Sequence, residues 1–525
     1  MRKTILFTLV CMLSVMANAQ ESIERRGRIE NVTDYSQPVV SKHHRVGSRS
    51  TAPLPCLGSP KVPVILVQFD NLKFTVDTLL NKEIVHSNEN VLALYDKFFN
   101  GNMDGTYYNG ANSKGAVRDY FATVSDSLFL PEFTVIGPVT LPLGFEYYGK
   151  DRLDEDGNVI SKDINIEAFY IASCRLAVEN FDVDWNYFDN NGDGRVDFVF
   201  FIYAGVGQNA RDVTTDAIWP KEGTSSLFVE LDDETIIFGA YGCSNEIYHN
   251  RLDGIGTSVH EVSHGLGLCD HYDYNGKLFG MDYWDVMDAG SYCNQSYLPC
   301  GYSTYELDFM GWRALEEIQP SIPATLILDP VHDGGKGYKL TNPQDKNDYY
   351  ILENRQNKKY DGALGLVHSG KSELGYSAAG KTHGLMVTHV QYSSSAWSGN
   401  RVNTSQERFT IIPADGEKIP STTDAGYDKA YFESMLGDLY PGMKEVKNFT
   451  LLGQSFEVTE NEDMTITLRV NGGNPVIDGI SESTLEKQQD PAQIYSISGQ
   501  PIKELHPGIN IIKYKDGSVK KVMKK

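Results

Sequence analysis

Apolar residues run almost unbroken through 61–69, Lys-Val-Pro-Val-Ile-Leu-Val-Gln-Phe. A run of that length with little polar alternation predicts a strand covered on both faces, central in a sheet. Helical spacing follows over 88–99, and a second helix is expected from Gly115, ending before the turn Ser125-Asp126-Ser127. Residues 129–142 predict a strand pair and 196–203 a further strand, with strand-then-helix alternation continuing to residue 266. There Ile255, Val259, Val262 and Leu266 recur at i, i+4, i+7 and i+11, a narrow apolar stripe along one helix. Residues 302–315, with Tyr305, Phe309 and Trp312, predict the helix that closes this α/β or α+β part. Beyond 317 the pattern changes to short alternating strands at 325–328, 349–353, 385–392, 409–412 and 464–470. Turn residues separate them, as in an antiparallel β-sandwich or barrel. A polar linker at 474–489 leads to three short strand runs in 490–525, the last two joined by an Asp516-Gly517 turn.

With 525 residues there is room for about three domains, each with its own core. The first nineteen residues lie outside that count: Arg2 and Lys3 precede an apolar run at 5–16, and Ala17-Asn18-Ala19 supplies a small-x-small cleavage site. The run is too short for a permanent membrane span, and no 18-residue apolar stretch follows, so the mature chain is expected to be exported without a transmembrane segment. Residues 20–60, polar and Arg-rich, are expected to be a pro-segment or leader, the α/β or α+β part to cover 61–316 and a β-rich part 317–473. A net charge of -23 provides no broad cationic surface and argues against nucleic acid as a partner. Cys11 is lost with the targeting segment; six cysteines remain, enough for disulfides in an exported chain, with the pairing left open. Cys56 has two readings, a thiolate that blocks a metal in a latent precursor, or a disulfide or structural thiol.

The candidate chemistry sits on the striped helix. His260 and His264, four residues apart, project from the face nearly opposite the stripe, one turn from each other, where both can reach one zinc ion. Glu261 lies beside them, placed to work on water without being a ligand. Gly267 is suited to ending the helix in a left-handed conformation, after which the chain turns back and brings Asp270 into range as a third ligand. Further on, Trp284-Asp285-Val286-Met287-Asp288-Ala289-Gly290-Ser291-Tyr292 sets a methionine in a tight turn. Separately, Asp189, Asn191, Asp193 and Asp197 fall at positions one, three, five and nine of a loop with Gly194 at six. That spacing matches the first part of a calcium loop, although Phe200 stands where a bidentate Glu is usual, and an ion-free Asx turn is the competing reading.

The extended zinc motif and the downstream Met-turn resemble the metzincin clan of metallopeptidases, and the fuller pattern resembles the immune-inhibitor-A-like secreted proteases. The likeness covers most of residues 60 to 470 and implies a metzincin-like α/β catalytic domain followed by a β-sandwich-like domain. It implies that His260, His264 and Asp270 hold zinc, with His271 the alternative third ligand, that Glu261 is the general base, and that Met287 lies beneath the metal. Tyr292 is the candidate oxyanion donor. The final module, with its Lys-rich end, resembles the C-terminal sorting domain of the Bacteroidetes type IX secretion route. The resulting expectation is a secreted or cell-surface zinc metalloendopeptidase, made as a zymogen, acting on proteins or peptides and recognised by the type IX machinery. Two alternatives remain: a surface adhesin or glycan-binding protein with a vestigial zinc lobe, and a zinc amidohydrolase of cell-wall peptides, which keeps the zinc chemistry and changes the bond.

Overall fold

A computed structural model describes residues 52–74, 88–101, 115–210, 216–231, 234–248, 251–294, 296–362, 383–418, 434–442, 444–473, 491–496, 500–505, 508–514 and 519–524. The expected targeting segment, most of the leader, the 474–489 linker and the Asp516-Gly517 turn lie outside the described residues.

The central sheet is built from β1 (Lys61–Phe69), β2 (Glu132–Leu141), β3 (Val196–Val206), β4 (Lys221–Leu231) and β5 (Glu234–Tyr248), in the order β2-β1-β3-β5-β4. β1 runs parallel to both β2 and β3, and β3 parallel to β5, while β4 returns antiparallel at the edge. Every residue of β3, Val-Asp-Phe-Val-Phe-Phe-Ile-Tyr-Ala-Gly-Val, is buried, as a strand covered on both faces requires. The covering helices are α1 (Asn88–Asn100), α2 (Val117–Val124) and α3 (Ile166–Asn180).

Two readings of this region change. Residues 129–142 form one strand rather than a pair, because Gly137-Pro138 makes a bulge inside β2 and not a turn. Gly137 has φ +116° and lies so close to the Leu66 carbonyl that a Cβ would sit 2.8 Å from it. The alternation of strand and helix also stops early, since β4 and β5 pair directly as a hairpin.

The striped segment forms α4 (Ile255–Gly265), with Ile255, Val259, Val262 and Leu266 all buried against the sheet. The helix expected at 302–315 is only α5 (Thr304–Phe309); Gly311, at φ +74°, turns the chain out of it.

The β-rich part holds two sheets, antiparallel except where the short strand Glu316–Glu317 pairs parallel with Tyr338–Lys339. One contains β6 (Ala324–Leu328), β11 (Asn448–Leu451), β12 (Gln454–Glu460) and β13 (Ile466–Val470), ordered β6-β13-β12-β11. The other contains β7 (Tyr338–Asn342), β8 (Asp345–Arg355), β9 (Gly384–Gln391) and β10 (Phe409–Ile411), ordered β10-β9-β8-β7. Leu340, Leu352, Leu385 and Val387 from the second sheet share one apolar core with Phe456, Val458, Ile466 and Leu468 from the first, so the two pack face to face. The opposite face of the second sheet, with Ile351, Met386, Val390 and Phe409, joins the core of the α/β part. Residues up to 472 consequently make one compact unit. The second unit, 473–525, is an antiparallel sheet of β14 (Pro491–Ser496), β15 (Pro501–Ile502), β16 (Gly508–Tyr514) and β17 (Val519–Lys524), one strand more than expected.

A buried ion network ties the sandwich to the α/β part. Arg355, fully buried at the end of β8, donates to both Asp361 oxygens at 2.9 and 2.7 Å and to Glu353 Oε1 at 3.1 Å. Glu353 Oε2 in turn accepts the Thr304 N–H at 2.7 Å and its hydroxyl at 2.5 Å, fixing the start of α5. Arg355→Ala leaves two buried carboxylates without their cation, and a loss of about 3–5 kcal/mol is expected from the midpoint of urea unfolding. A loss below about 1 kcal/mol would mean the network holds nothing together.

Candidate metal centre

The site begins with how α4 ends. Gly267, at φ +89°, donates to the His264 carbonyl at 2.8 Å, and Leu268 donates to the Ser263 carbonyl at 3.3 Å. This paired closure satisfies the last carbonyls and reverses the chain, so Asp270 returns beside the helix face that carries the histidines. Asp270 Oδ1 lies 3.0 Å from His260 Nε2 and 3.3 Å from His264 Nε2. Three donor atoms about 2.0–2.2 Å from one tetrahedral ion are separated by about 3.3–3.6 Å, close to that spacing.

The imidazoles are oriented by what their other nitrogens do. His260 Nδ1 lies 2.8 Å from the Val286 carbonyl, and His264 Nδ1 lies 2.9 Å from the Leu268 carbonyl. A carbonyl only accepts, so each Nδ1 carries the hydrogen and each Nε2 is left to bind a metal. The Val286 carbonyl belongs to the tight turn with Met287, which places that turn directly against the first histidine. Met287 itself is fully buried, and its carbonyl accepts the His271 N–H at 2.9 Å.

Asp270 is held from behind. Its Oδ2 accepts the Tyr274 hydroxyl at 2.5 Å and the Asn400 side-chain amide at 2.6 Å, while its own N–H donates to Asn400 Oδ1 at 2.7 Å. Burial alone would raise the Asp270 carboxyl, but His264 and His260 outweigh it and hold the group well below the usual carboxylate range. The negative field that raises the proton affinity of both imidazoles also favours a divalent cation. Two neutral nitrogen donors and one anionic oxygen, all buried, therefore fit zinc. His271 points elsewhere, toward Glu306 and Asp285, so the bend brings Asp270 and not His271 to the histidine pair.

Glu261 is buried beside its ligand neighbours. Burial pushes its carboxyl up to about 6, with His260 and His264 opposing, which suits a group that must gain and lose a proton near neutrality. Tyr292 ends the turn at Ala289–Tyr292, stacks on Tyr248 at 5.6 Å and lies within the electrostatic reach of Glu261.

Sequence reasoning missed several neighbours. Asn400 is far along the chain in the β-rich part, and no spacing announces it. Glu222, half-buried on edge strand β4, lies within electrostatic reach of His264, Glu261 and Asp270, and burial of its carboxyl pushes it up to about 8. Cys56 stays away from the metal ligands: its thiol donates to the Leu266 carbonyl at 3.6 Å, behind the helix, which is the structural-thiol reading and not the blocking one.

The acidic loop after residue 188 brings Asp189, Asp193 and Asp197 within 4.8 Å of one another. Asp189 Oδ1 accepts the N–H groups of Gly192 and Asp193 at 2.8 and 3.0 Å, and its Oδ2 accepts that of Gly194 at 2.8 Å. The Asn191 amide donates to Asp197 Oδ1 at 2.6 Å. The loop therefore combines the Asx-turn bonds with a carboxylate cluster.

Two measurements probe this geometry. Asn400→Ala removes both bonds that aim Asp270, and zinc affinity is expected to fall about 10–100-fold in a chelator competition, against no change if Asn400 only fills space. Asp288, in the Met-turn, is pushed up to about 7 by burial, against N–H donors from Met281, Ala289 and Asp282. An ordinary Asp titrates at about 3.9, so the stability this group lends is full below that pH and lost as pH rises through about 7. The urea midpoint of wild type is expected to drop more between pH 5 and 8 than that of Asp288→Asn; parallel curves would contradict it.

Comparison with known proteins bears on the same segment. The family model for the immune inhibitor A peptidase M6 catalytic domain matches residues 57–313. Immune inhibitor A of Bacillus thuringiensis subsp. alesti is 26% identical over 257 residues, covering 45% of this chain and 37% of that protein. The match thus spans well under half of the relative's length, and it supports, in residues 57–313, a peptidase M6 catalytic domain of the metallopeptidase kind.

Proposed function

We propose that the chain is an exported zinc metalloendopeptidase that hydrolyses protein substrates. The observation that carries this reading is the convergence of His260 Nε2 and His264 Nε2 on Asp270 Oδ1, with each Nδ1 committed to a backbone carbonyl and Glu261 beside them. Zinc at this site would supply a Lewis acid that polarises the scissile carbonyl and lowers the pKa of water to about 7. The protein's own groups do the rest. Glu261 takes the proton from the attacking water and delivers it to the departing amine nitrogen. Asp270, held by Asn400 and Tyr274, keeps the donor set rigid, and Tyr292 offers a hydroxyl to the oxygen that gains charge. The Asp189, Asn191, Asp193 and Asp197 loop binds calcium and stiffens the entry to β3. The leader keeps the precursor latent, and the β-module at 490–525 is the sorting signal for type IX export to the medium or the cell surface. Among the described residues no helix is long and apolar enough to cross a membrane.

Glu261→Gln is expected to keep the wild-type zinc content and lose at least about 100-fold in cleavage of a denatured protein. Wild-type cleavage by that variant would remove Glu261 from the mechanism. Calcium added after chelation is expected to raise Tm, and Asp189→Asn with Asp193→Asn to abolish the rise; a calcium-insensitive Tm in wild type would eliminate the calcium assignment.

A further inference from the structure

Directly behind the third-ligand bend lies another convergence of donors. His271 comes from the bend, Asp285 from the Met-turn and Glu306 from α5. Their side chains are 1%, 0% and 0% exposed. His271 Nδ1 lies 3.1 Å from Glu306 Oε1 and 3.6 Å from Asp285 Oδ2, and these atoms all fall within 4.8 Å of one another. None of the three has a hydrogen-bond partner of acceptable geometry. The remaining carboxylate oxygens are occupied: Asp285 Oδ1 accepts the Met287 N–H at 2.7 Å, and Glu306 Oε2 accepts the Ser303 hydroxyl. Both carboxylates are thus anchored on one side, and each of the three side chains brings one atom without a hydrogen-bond partner to the shared cluster.

Two carboxylates buried together are costly unless a cation or a shared proton lies between them. Among the described residues the ion-pair partner of both is the same imidazole. Donors about 2.1 Å from one ion, subtending angles from 90° to tetrahedral, are separated by about 3.0–3.5 Å. The observed spacings approach that range. One imidazole nitrogen with two carboxylate oxygens is a donor set for a divalent transition metal rather than for a hard cation alone.

We propose that His271, Asp285 and Glu306 hold a second, structural divalent transition-metal ion. Consecutive residues, Asp270 and His271, then supply one ligand each to two separate sites. The second ion clamps the bend, the Met-turn and α5 together, and so fixes the backbone that presents Asp270 and the Val286 carbonyl. Full burial means it enters as the chain folds and exchanges slowly. The zinc-peptidase reading and this one stand on different ligands, so each survives the failure of the other.

The test counts zinc per chain by mass spectrometry in the full chain expressed with zinc, as wild type, as His260→Ala with His264→Ala, and as Asp285→Asn with Glu306→Gln. Two equivalents are expected in wild type and one in each double variant. A histidine double variant without zinc overturns the second site and leaves the hydrolytic one standing. Two equivalents retained in that variant would overturn the hydrolytic assignment instead. The neutral amide pair keeps side-chain shape; should it fail to fold, zinc absorption spectroscopy on the histidine double variant decides, with a shell of one imidazole and oxygen donors expected and a multi-histidine shell contradicting it.

Discussion

The pull of one carboxylate on two imidazoles organises the catalytic half of this molecule. Asp270 is buried, which by itself disfavours its charge, and the nearby His264 and His260 outweigh that burial and keep it ionised. An arrangement of that kind persists only if the backbone prevents the groups from drifting apart. The helix supplies that constraint for the histidines, which are locked one turn apart. The left-handed glycine at 267 supplies it for the aspartate by turning the chain back along the helix.

The surrounding architecture serves the same end at longer range. A mixed sheet whose central strand is buried throughout gives α4 a rigid surface to lie on, and the apolar stripe fixes the rotation of the helix about its axis. The Met-turn touches α4 through the bond between His260 and the Val286 carbonyl. The β-rich part reaches in through Asn400, which grips Asp270 by both backbone and side chain. The connection between β9 and β10 is therefore part of the scaffold of the candidate site, and the inward face of the second sheet shares the core of the α/β part.

Much of this was legible in the sequence, for physical reasons. Local signals sufficed for β1 and β3, whose unbroken apolar runs mark central strands, and for α4, whose stripe, histidine spacing and terminal glycine agree with one another. Legibility failed where meaning depended on a partner. Gly137-Pro138 looks like a turn in isolation, and only pairing with β1 makes it a bulge. The helix at 302–315 has apolar residues at suitable intervals, yet Gly311 ends it after two turns. The β4–β5 hairpin lacks a short turn signature. At the site, the convergence of His260, His264 and Asp270 could be anticipated because these residues are close in the chain. Asn400, Glu222 and the convergence of His271, Asp285 and Glu306 could not, since nothing local links residues brought together by the tertiary fold.

The central claim is that one ion is held by two nitrogens from α4 and one oxygen from the bend after it. Crystals of the zinc-loaded protein, measured above and below the zinc absorption edge, test this most directly. The account predicts an anomalous peak about 2.0–2.2 Å from His260 Nε2, His264 Nε2 and Asp270 Oδ1 together. No peak at that point in a zinc-loaded crystal, or one bound there without Asp270, would contradict it.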